Sequence, residues 1–306
     1  MSENVPRVAV LLAAYNGMAW IEEQLDSILA QTHVNVSVYI SVDPSTDGTE
    51  AWCSARAVGN PCVQLLPVAG PFGGAARNFF RLVRDVNFST FDYVSFSDQD
   101  DIWYPDKLKR AVARLRADGL DAYSSNVVAF WPDGRRLLVD KAQPLVKWDY
   151  LFEAAGPGCT YVLTQSLATA FKDAVVARWG EVQGVSLHDW FCYAFARSAG
   201  FKWFIDPVPG MDYRQHAKNQ VGVNAGAGSA VSRLRQVVDG WWFSQVKLIS
   251  ELTTVPSRAV SRRPGLSGRM SFVKLALRMR QCRRRQRDQL AFAVLCILMA
   301  VVGSAT

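Results

Sequence analysis

The 306-residue sequence has no CxxC pair, no GxGxxG loop after its first apolar run, and no basic-then-apolar leader. Its six cysteines are scattered, which argues against a zinc ribbon or a disulfide scaffold and suits a reducing compartment. Because the start, MSENVPR, is unlike a signal peptide, we expect an uncleaved cytoplasmic protein. The composition, 50% apolar and 20% charged, excludes a disordered chain and an ordinary many-pass membrane protein. The length allows one large domain or two smaller ones.

Acidic residues are almost missing from one segment near the C-terminus. Between Ser257 and Asp288 stand eleven of the 34 Lys and Arg residues and a single acid, so this segment carries a charge of +10. Because the whole chain carries +7, the remainder is mildly acidic at −3. The basic stretch SFVKLALRMRQCRRRQRDQ is followed by fourteen apolar residues, LAFAVLCILMAVVG. The globular part and the C-terminal tail therefore differ in character and are interpreted separately.

The apolar end of the tail is too short for a comfortable membrane span, which takes about 20 residues. A basic helix with an adjoining apolar segment is typical of an interfacial anchor on an anionic membrane leaflet. Two alternatives stay open: the tail packs on the globular part, or it forms a dimer contact. We expect no nucleic-acid partner, because no aromatic-rich reading surface accompanies the arginines. The oligomeric state is left undetermined.

Apolar runs alternate with helical stripes through the first 120 residues. The runs Val8–Tyr15, Val36–Asp43 and Phe91–Asp98 predict strands, and residues 62–69 predict a weaker one. Helical stripes follow at Ile21, Leu25, Ile28 and Leu29, and at Leu108, Ala111, Val112 and Leu115, with Pro105 in the first turn and Gly119 as the stop. This alternation predicts an α/β fold with a mainly parallel sheet, and ligands bind at the carboxyl ends of its strands.

The second half of the chain changes pattern. AAGPGCTYVLT predicts a glycine-rich turn leading into a strand, followed by a helix near Gln165–Arg178. His188, Asp189 and Trp190 begin a further helix, and FKWFIDPV predicts a short strand. The segment MDYRQHAKNQVG predicts a polar loop, and residues 222–230 predict a flexible joint before the basic tail.

Three carboxylates fall within four residues in SDQDDIWYPDK, directly after an apolar run. Like charges this close repel one another, so Asp98, Asp100 and Asp101 predict a cation. Mg²⁺ and Mn²⁺ prefer oxygen ligands and commonly share carboxylates with substrate phosphates. Alone, the same acids are equally typical of a helix start, since Asp100 and Asp101 precede Pro105.

Motifs that the sequence lacks argue against other enzyme classes with the same alternation of strands and helices. A dehydrogenase or methyltransferase would place GxGxxG where AAYNGMAW stands. A nucleotidyltransferase, which also uses strand-end carboxylates and a metal, would want a glycine-rich, basic first loop, and LLAAYNGMAW has neither Lys nor Arg. A binding module without catalytic activity remains an alternative from another class.

The motifs together resemble an inverting glycosyltransferase of family 2. The matching stretches are LLAAYNG, SVDPSTDGT, GGAARNFF, SDQDDIW, HDW and YRQH, which occur in the family's order over residues 7–220. The resemblance implies the GT-A nucleotide-diphospho-sugar transferase fold, Rossmann-like, with a mainly parallel central sheet flanked by helices. It implies a catalytic domain over residues 1–220, with a nucleotide-sugar half at about 1–105 and an acceptor half at about 106–220. Residues 221–306 are then the linker and the helical, membrane-associating tail.

The resemblance also implies residue roles. Asp189 is the general base, Asp100 and His216 hold Mg²⁺ or Mn²⁺, Tyr15 lies along the nucleobase and Asp43 accepts from the ring N–H of uracil or thymine. The remaining expected donor-binding residues are Ala14, Asn16, Arg77, Asp98 and Gln99. The expected acceptor-site or supporting residues are Asp101, Trp103, Gly158, Cys159, His188, Trp190 and Arg214, with Trp190 expected to line the acceptor site.

Some positions depart from the family's pattern. Val42 and Pro44 replace its usual Asp and Gly, and Ala13 replaces its usual Thr, which leaves the base preference open. Taken singly, Asp189 is equally a helix-capping residue and His216 equally an exposed loop histidine.

SDQDDIW, HDW and YRQH are most similar to the bacterial subgroup that contains rhamnosyltransferases of surface-polysaccharide and lipopolysaccharide assembly. This implies dTDP-L-rhamnose as donor, with UDP-sugars as the alternative. The QxxRW motif of processive synthases is absent, so we expect the addition of one sugar. The tail suggests a lipid-linked or lipopolysaccharide-core glycan as acceptor. It also predicts an enzyme on the anionic inner face of the bacterial cytoplasmic membrane.

Overall fold

The computed structural model describes residues 5–216, 240–253 and 266–302. The predicted joint at 222–230 lies outside these residues. The strands are β1 (Arg7–Ala14), β2 (Asn35–Val42), β3 (Val63–Leu65), β4 (Tyr93–Ser97), β5 (Ile102–Trp103), β6 (Ala122–Ser125), β7 (Val127–Phe130), β8 (Arg136–Val139), β9 (Val162–Thr164), β10 (Trp203–Asp206) and β11 (Met211–Arg214). The helices are α1 (Ile21–Leu29), α2 (Thr49–Gly59), α3 (Ala75–Asp85), α4 (Lys107–Asp118), α5 (Gln165–Ala177), α6 (Trp179–Val182), α7 (His188–Ser198), α8 (Trp241–Leu252), α9 (Leu266–Leu277), α10 (Met279–Cys282) and α11 (Gln286–Val302).

Seven strands form the central sheet in the order β10-β6-β9-β4-β1-β2-β3. β1 pairs in parallel with both β2 and β4, β2 with β3, and β6 with β10, whereas β9 runs antiparallel between β4 and β6. Alternate residues of β1 belong to two separate cores, Ala9 and Leu11 to one and Val8 and Val10 to the other. Both faces of the sheet are therefore covered, which explains why β1 is continuously apolar.

The helices cover both faces as the apolar stripes predict. α1 and α4 bury their stripes on one face, while α3, α5 and α7 pack on the other. Gly119 ends α4 in the left-handed conformation, with φ of 57°. Pro105 lies two residues before α4 instead of in its first turn, and its carbonyl accepts a hydrogen bond from the N–H of Thr32.

A second sheet has the order β5-β11-β7-β8. Its strand β11 corrects the prediction of a loop at MDYRQH, because Met211–Arg214 pair with both β5 and β7. The rest of that predicted loop, from residue 217 on, lies outside the described residues. β11 has only four residues, too few to show a clear alternation of apolar and polar side chains. This small sheet joins the carboxylate segment after β4 to the chain that carries His216.

The described part of the tail packs on the globular part of the chain, as one of the open alternatives holds. The N–H of Trp148 donates to the carbonyl of Gln281 at 2.8 Å. The guanidinium of Arg283 donates to the carbonyl of Phe152 at 2.7 Å, and the Phe152 ring lies 5.0 Å from that of Phe292. Residues 240–253 and 266–302 thus extend the domain core rather than forming a detached tail.

The C-terminal helices also leave an apolar face uncovered. In the described ranges, no helix is long and apolar enough to cross a membrane. The exposed apolar side chains are Met270, Val273 and Leu277 on α9, and Leu290, Val294, Ile297, Leu298 and Val301 on α11. We call these eight side chains the exposed apolar face.

Arg284 offers a test of whether the tail stabilises the domain. Its buried guanidinium lies 3.5 Å from a carboxylate oxygen of the buried Asp149 and donates to the carbonyl of Ala154 at 2.7 Å. We expect Arg284→Ala to lower the free energy of unfolding by about 3 kcal/mol, because it removes one partner of a buried ion pair. Urea unfolding measures this, with the exposed Arg280→Ala as the matched control. Equal midpoints for the two variants would contradict the packing role of Arg284.

Candidate active site

A cleft of about 1660 Å³ opens at the carboxyl ends of β1, β2 and β4. This is the edge at which ligands bind in open α/β sheets. The predicted residues that line the cleft are Ala14, Tyr15, Asn16, Asp43, Asp98, Gln99, Asp100, Gly158, His188, Asp189 and His216. Residues from well-separated segments of the sequence thus meet in one cavity.

The loop after β1 is held by side chains from the two neighbouring strands. The side-chain amide of Gln99 accepts from the N–H of Tyr15 and donates to its carbonyl, both at 2.8 Å. Asn16, with φ of 46°, accepts from the N–H of Thr46 at 2.8 Å. A Cβ at Gly17 would lie 2.3 Å from the Gln99 side chain, so a larger residue there would displace the Gln99 amide from the loop. The backbone of Tyr15 is thereby fixed at the cleft with its side chain exposed, and Gln99 mainly positions the loop.

Asp43 follows β2 and fixes the opposite wall. Its two carboxylate oxygens accept from the N–H groups of Phe72 and Gly73 at 2.8 and 3.0 Å. A carboxylate oxygen can accept more than one hydrogen bond, so Asp43 keeps acceptor capacity toward the cleft. Arg77 lies behind this wall: its guanidinium donates to the carbonyls of Gln183 and Phe72 at 3.0 and 3.3 Å and does not line the cleft.

The three carboxylates after β4 lie in different surroundings. Burial, together with the charges of Asp100 and Asp189, raises the pKa of Asp98 to about 7. Asp101 is fully buried, and burial with the charges of Asp100 and Asp98 raises its pKa well above the usual value. Asp101 accepts a hydrogen bond from the N–H of Arg214 at 3.1 Å, so it holds the loop after β4 from its buried side. The cluster has more negative charge than its surroundings accommodate, which favours cation binding.

His216 and Asp100 meet although they lie far apart along the chain. The His216 Nε2 lies 2.8 Å from an oxygen of Asp100, and its ring stacks on Trp20 with 3.9 Å between centroids. Arg214 donates from Nε to the carbonyl of Asp100 at 2.8 Å, and its guanidinium pairs with Glu23. Trp20 was missed from the sequence, because no local pattern indicates which aromatic ring a distant histidine will contact.

The donor atoms in this cluster suit a hard divalent cation. Asp98, Asp100 and His216 line the cleft and offer carboxylate oxygens and an imidazole nitrogen, which Mg²⁺ and Mn²⁺ accept. Asp98, Asp101 and the Cys159 thiol also lie within 4.8 Å of one another. Burial and the neighbouring carboxylates raise the pKa of Cys159 well above its usual value, and sulfur is a softer ligand than Mg²⁺ or Mn²⁺ prefers. The residues that fit a divalent cation are therefore Asp98, Asp100 and His216, and Cys159 packs beneath them.

A buried lysine beneath the carboxylates was not predicted. The Lys107 ammonium lies 3.1 Å from the centroid of the buried Trp103 ring and has no hydrogen-bond partner in the described part of the chain. Burial lowers the pKa of Lys107 to about 7, although the neighbouring Cys159 and Asp101 oppose the shift. Trp103, predicted as an acceptor-site or supporting residue, thus supports the floor of the site.

The start of α7 presents Asp189 to the cleft. Burial raises the pKa of Asp189 to about 6, while hydrogen bonds to backbone N–H groups and the nearby Lys141 charge oppose the shift. One of these donors is the N–H of Trp190, at 2.8 Å. His188 stacks on Phe79 with 3.8 Å between centroids, and burial lowers the pKa of His188 to about 3, so its imidazole is neutral. Asp189 therefore has a raised pKa and an uncharged histidine beside it, and such surroundings are typical of a general base.

Trp190 corrects one expectation. Its side chain is buried and does not line the cleft, and its ring N–H donates to the carbonyl of Tyr150 at 3.0 Å. The reason is helical geometry: with Asp189 turned toward the cleft, the next residue of α7 points into the core. Trp190 is a supporting residue rather than a lining one.

The far wall of the cleft comes from the β8 hairpin and the C-terminal helices. Its lining residues include Leu137, Leu138, Lys141, Trp241, Trp242, Arg283, Arg285, Arg287, Phe292 and Leu295. Sequence reasoning separated this tail from the catalytic domain and so missed the contribution. A run of arginines alone does not indicate which of them turn toward a distant cleft.

Comparisons with known proteins agree with this geometry. The family described as "Glycosyltransferase like family 2" matches residues 6–144. The "dTDP-rhamnosyl transferase RfbG" of Shigella flexneri is 43% identical over 288 residues, which cover 94% of this chain and 99% of the relative. The structure of S. aureus TarS 1-349 has a TM-score of 0.58 at 13% identity and covers 97% of this chain and 92% of its own. "Mannosyltransferase PcManGT from Pyrobaculum calidifontis in complex with GDP-Man and Mn2+" has a TM-score of 0.51 at 17% identity, covering 99% and 89%. The two structural likenesses show a shared fold.

Gly158 provides a test of the packing that positions Asp189. A Cβ at Gly158 would lie 2.7 Å from His188 Nε2 and 2.9 Å from the Cβ of Asp189. We expect Gly158→Ala to lower the free energy of unfolding by about 1–3 kcal/mol, because His188 is packed between aromatic rings and has little room to move. Chemical denaturation measures the difference. The control is Gly180→Ala, where nothing lies within 4 Å of the added Cβ. If both variants were equally stable, the close packing of α7 on Gly158 would be wrong.

Proposed function

The chain belongs to glycosyltransferase family 2 and has its GT-A fold, and on that premise we propose that it transfers one L-rhamnose from dTDP-L-rhamnose to a glycan hydroxyl. The observation that carries the proposal is a single cleft that holds the paired Asp100 and His216 and also the carboxylate of Asp189. The 43% identity to a dTDP-rhamnosyl transferase supports this donor. A UDP-sugar donor is the alternative within the same family.

In this proposal the part of the cleft lined by Tyr15, Asp43 and Asp98 binds the donor. Tyr15, which is 57% exposed, provides an aromatic surface for the base, and Asp43 accepts from the ring N–H of thymine. The loops that carry them are already fixed by Gln99, Asn16 and the backbone of Phe72, so binding orders few further groups. Asp98 faces the ribose side.

Asp100 and His216, with Asp98 beside them, would hold Mg²⁺ or Mn²⁺. The bound cation supplies charge neutralisation for the leaving diphosphate. Arg214 and Asp101 maintain the shape of this loop through the hydrogen bonds described above. Trp20 orients the His216 imidazole by stacking on it.

Asp189 takes the proton from the acceptor hydroxyl as that oxygen attacks the anomeric carbon from the face opposite the diphosphate. The bond to the nucleotide breaks as the new glycosidic bond forms, so the anomeric configuration inverts in one displacement. A pKa of about 6 keeps Asp189 ionised at neutral pH and still strong enough as a base to accept the proton.

The test of this role is the Asp189→Asn variant assayed with dTDP-L-rhamnose. We expect transfer to fall about 10³-fold, since general base catalysis contributes about 10²–10⁴. In the wild type, kcat/KM should fall about tenfold per pH unit below a pKa of about 6, because protonation of Asp189 removes the base. The exposed Asp173→Asn is the matched control and should keep wild-type turnover. Near-normal turnover by Asp189→Asn, or a trapped sugar–enzyme intermediate, would overturn the mechanism.

We further propose that the enzyme is cytoplasmic and works on the inner face of the bacterial cytoplasmic membrane, on a lipid-linked or lipopolysaccharide-core glycan. The exposed apolar face is the supporting observation, because it places large apolar side chains of α9 and α11 in water. Exposed Lys274 and Arg280 lie on the same C-terminal segment and suit anionic headgroups.

Vesicle sedimentation tests this location. We expect the protein to sediment with vesicles containing phosphatidylglycerol and to be released by high salt. Replacing Ile297 and Val301 together by Ser should reduce binding about tenfold or more, because two exposed apolar side chains no longer enter the bilayer. The control is Val58→Ser, which changes an exposed apolar residue on α2. Equal sedimentation by both variants, or none by the wild type, would contradict the proposal.

A further inference from the structure

The cleft has opposite charge at its two ends. Its lining includes the carboxylates Asp43, Asp98 and Asp100, which follow the strands β2 and β4, and the cations Lys141, Arg283, Arg285 and Arg287, which come from the segment after β8 and from the C-terminal segment. We call these last four residues the basic end of the cleft. Two acids, Glu153 and Asp288, lie beside them, so the basic end keeps an excess of positive charge. An anion that the first end would repel is attracted to the second.

Asp189 lies between these two ends. The turn of residues 156–159 shows this order: a Cβ at Gly156 would lie 3.6 Å from Lys141, a Cβ at Gly158 would lie 2.9 Å from Asp189, and the Cys159 thiol lies within 4.8 Å of Asp98. An acceptor whose hydroxyl reaches Asp189 therefore extends toward the basic end. The donor diphosphate occupies the opposite side under the proposed function.

The four cations at the basic end differ in their ion pairs. Arg283 lies 3.8 Å from Glu153 and 3.9 Å from Asp288, and Arg287 lies 3.4 Å from Asp288. Within the described ranges, the side chains of Lys141 and Arg285 make no hydrogen bond or ion pair. Burial lowers the pKa of Lys141, and the charges of Glu153 and Asp288 oppose the effect while those of Arg283 and Arg284 add to it. Two cations without a side-chain partner in the part of the chain that the structure describes thus remain available to an anionic ligand.

Apolar side chains adjoin these cations. Leu137 and Leu138 of the β8 hairpin are 46% and 52% exposed, and Phe292 and Leu295 of α11 line the same wall. Of the exposed apolar face, Leu290, Val294 and Ile297 stand one or two residues along α11 from these positions. A ligand with an anionic group followed by an apolar chain matches this order of surfaces.

We propose that the basic end of the cleft is an acceptor subsite that binds a phosphate or diphosphate group of the acceptor glycan. The inference rests on the proposed function and adds the chemical class of the acceptor. Lys141 and Arg285 bind the phosphate oxygens, because a guanidinium fork and an ammonium both make charge-assisted hydrogen bonds to phosphate. The phosphate belongs either to a polyprenyl-type lipid carrier or to a phosphorylated glycan core.

Calorimetric titration of the full chain tests the subsite with three probes: farnesyl diphosphate, farnesol and inorganic pyrophosphate. The protein is first saturated with dTDP and excess Mg²⁺, so that the donor end is occupied. We expect farnesyl diphosphate to bind at least about tenfold more tightly than farnesol. Lys141→Gln and Arg285→Gln should each weaken its binding about tenfold or more, the usual effect of losing a charged hydrogen bond. The exposed Lys109→Gln on α4 is the matched control and should change the Kd less than about twofold.

The probes also separate the two sources of phosphate. Tighter binding of farnesyl diphosphate than of pyrophosphate supports a lipid diphosphate carrier. Equal binding of both, weakened equally by the two variants, supports a phosphate on the glycan itself. Equal binding of farnesol and farnesyl diphosphate, or a Kd unchanged in both variants, overturns the subsite. The dTDP titration on the same sample reports separately on the proposed function, so failure of one is distinguishable from failure of the other.

Discussion

The repulsion among three carboxylates at the end of one buried strand is the constraint on which the site depends. β4 lies in the middle of the sheet and delivers Asp98, Asp100 and Asp101 where burial strengthens their mutual repulsion. Residues from distant segments surround these carboxylates. Lys107 lies beneath Asp101, Arg214 donates to the carbonyl of Asp100, and His216 contacts the Asp100 carboxylate. In the proposed function a divalent cation and the diphosphate of the donor complete this cluster.

The same constraint arranges the rest of the cleft. β11 brings Arg214 and the following His216 beside the carboxylates, and β5 carries Trp103 under them through the same small sheet. In the proposed mechanism Asp189 acts beside the metal, and its pKa of about 6 leaves it ionised at neutral pH. The cationic wall from the C-terminal helices then lies on the opposite side of Asp189. The proposed donor and acceptor sites thus differ in charge within one cavity.

The parts of this arrangement that depend on residues close together in the sequence could be predicted. The apolar runs indicated β1, β2 and β4, and strand-end polarity placed Asp43, Asp98 and Asp100 at one edge. The features that were not predicted depend on contacts between distant segments of the chain. β11 is too short to show a period, and Trp20 and Lys107 acquire their roles only from what packs on them. The basic tail was visible as charge, but its place against the cleft is set by burial of Arg284 and Phe292 in the domain core.

The measurement that tests the account most directly is the thermal stabilisation of the protein by dTDP and UDP, with and without Mn²⁺, in the wild type and in Asp100→Asn. A ligand at about 100 times its Kd adds about 2.7 kcal/mol of stability, enough for a clear shift. The account predicts stabilisation by dTDP that requires Mn²⁺, exceeds that by UDP, and is lost in Asp100→Asn. Stabilisation that ignores the metal and the Asp100 substitution, or no stabilisation by either nucleotide, would contradict it.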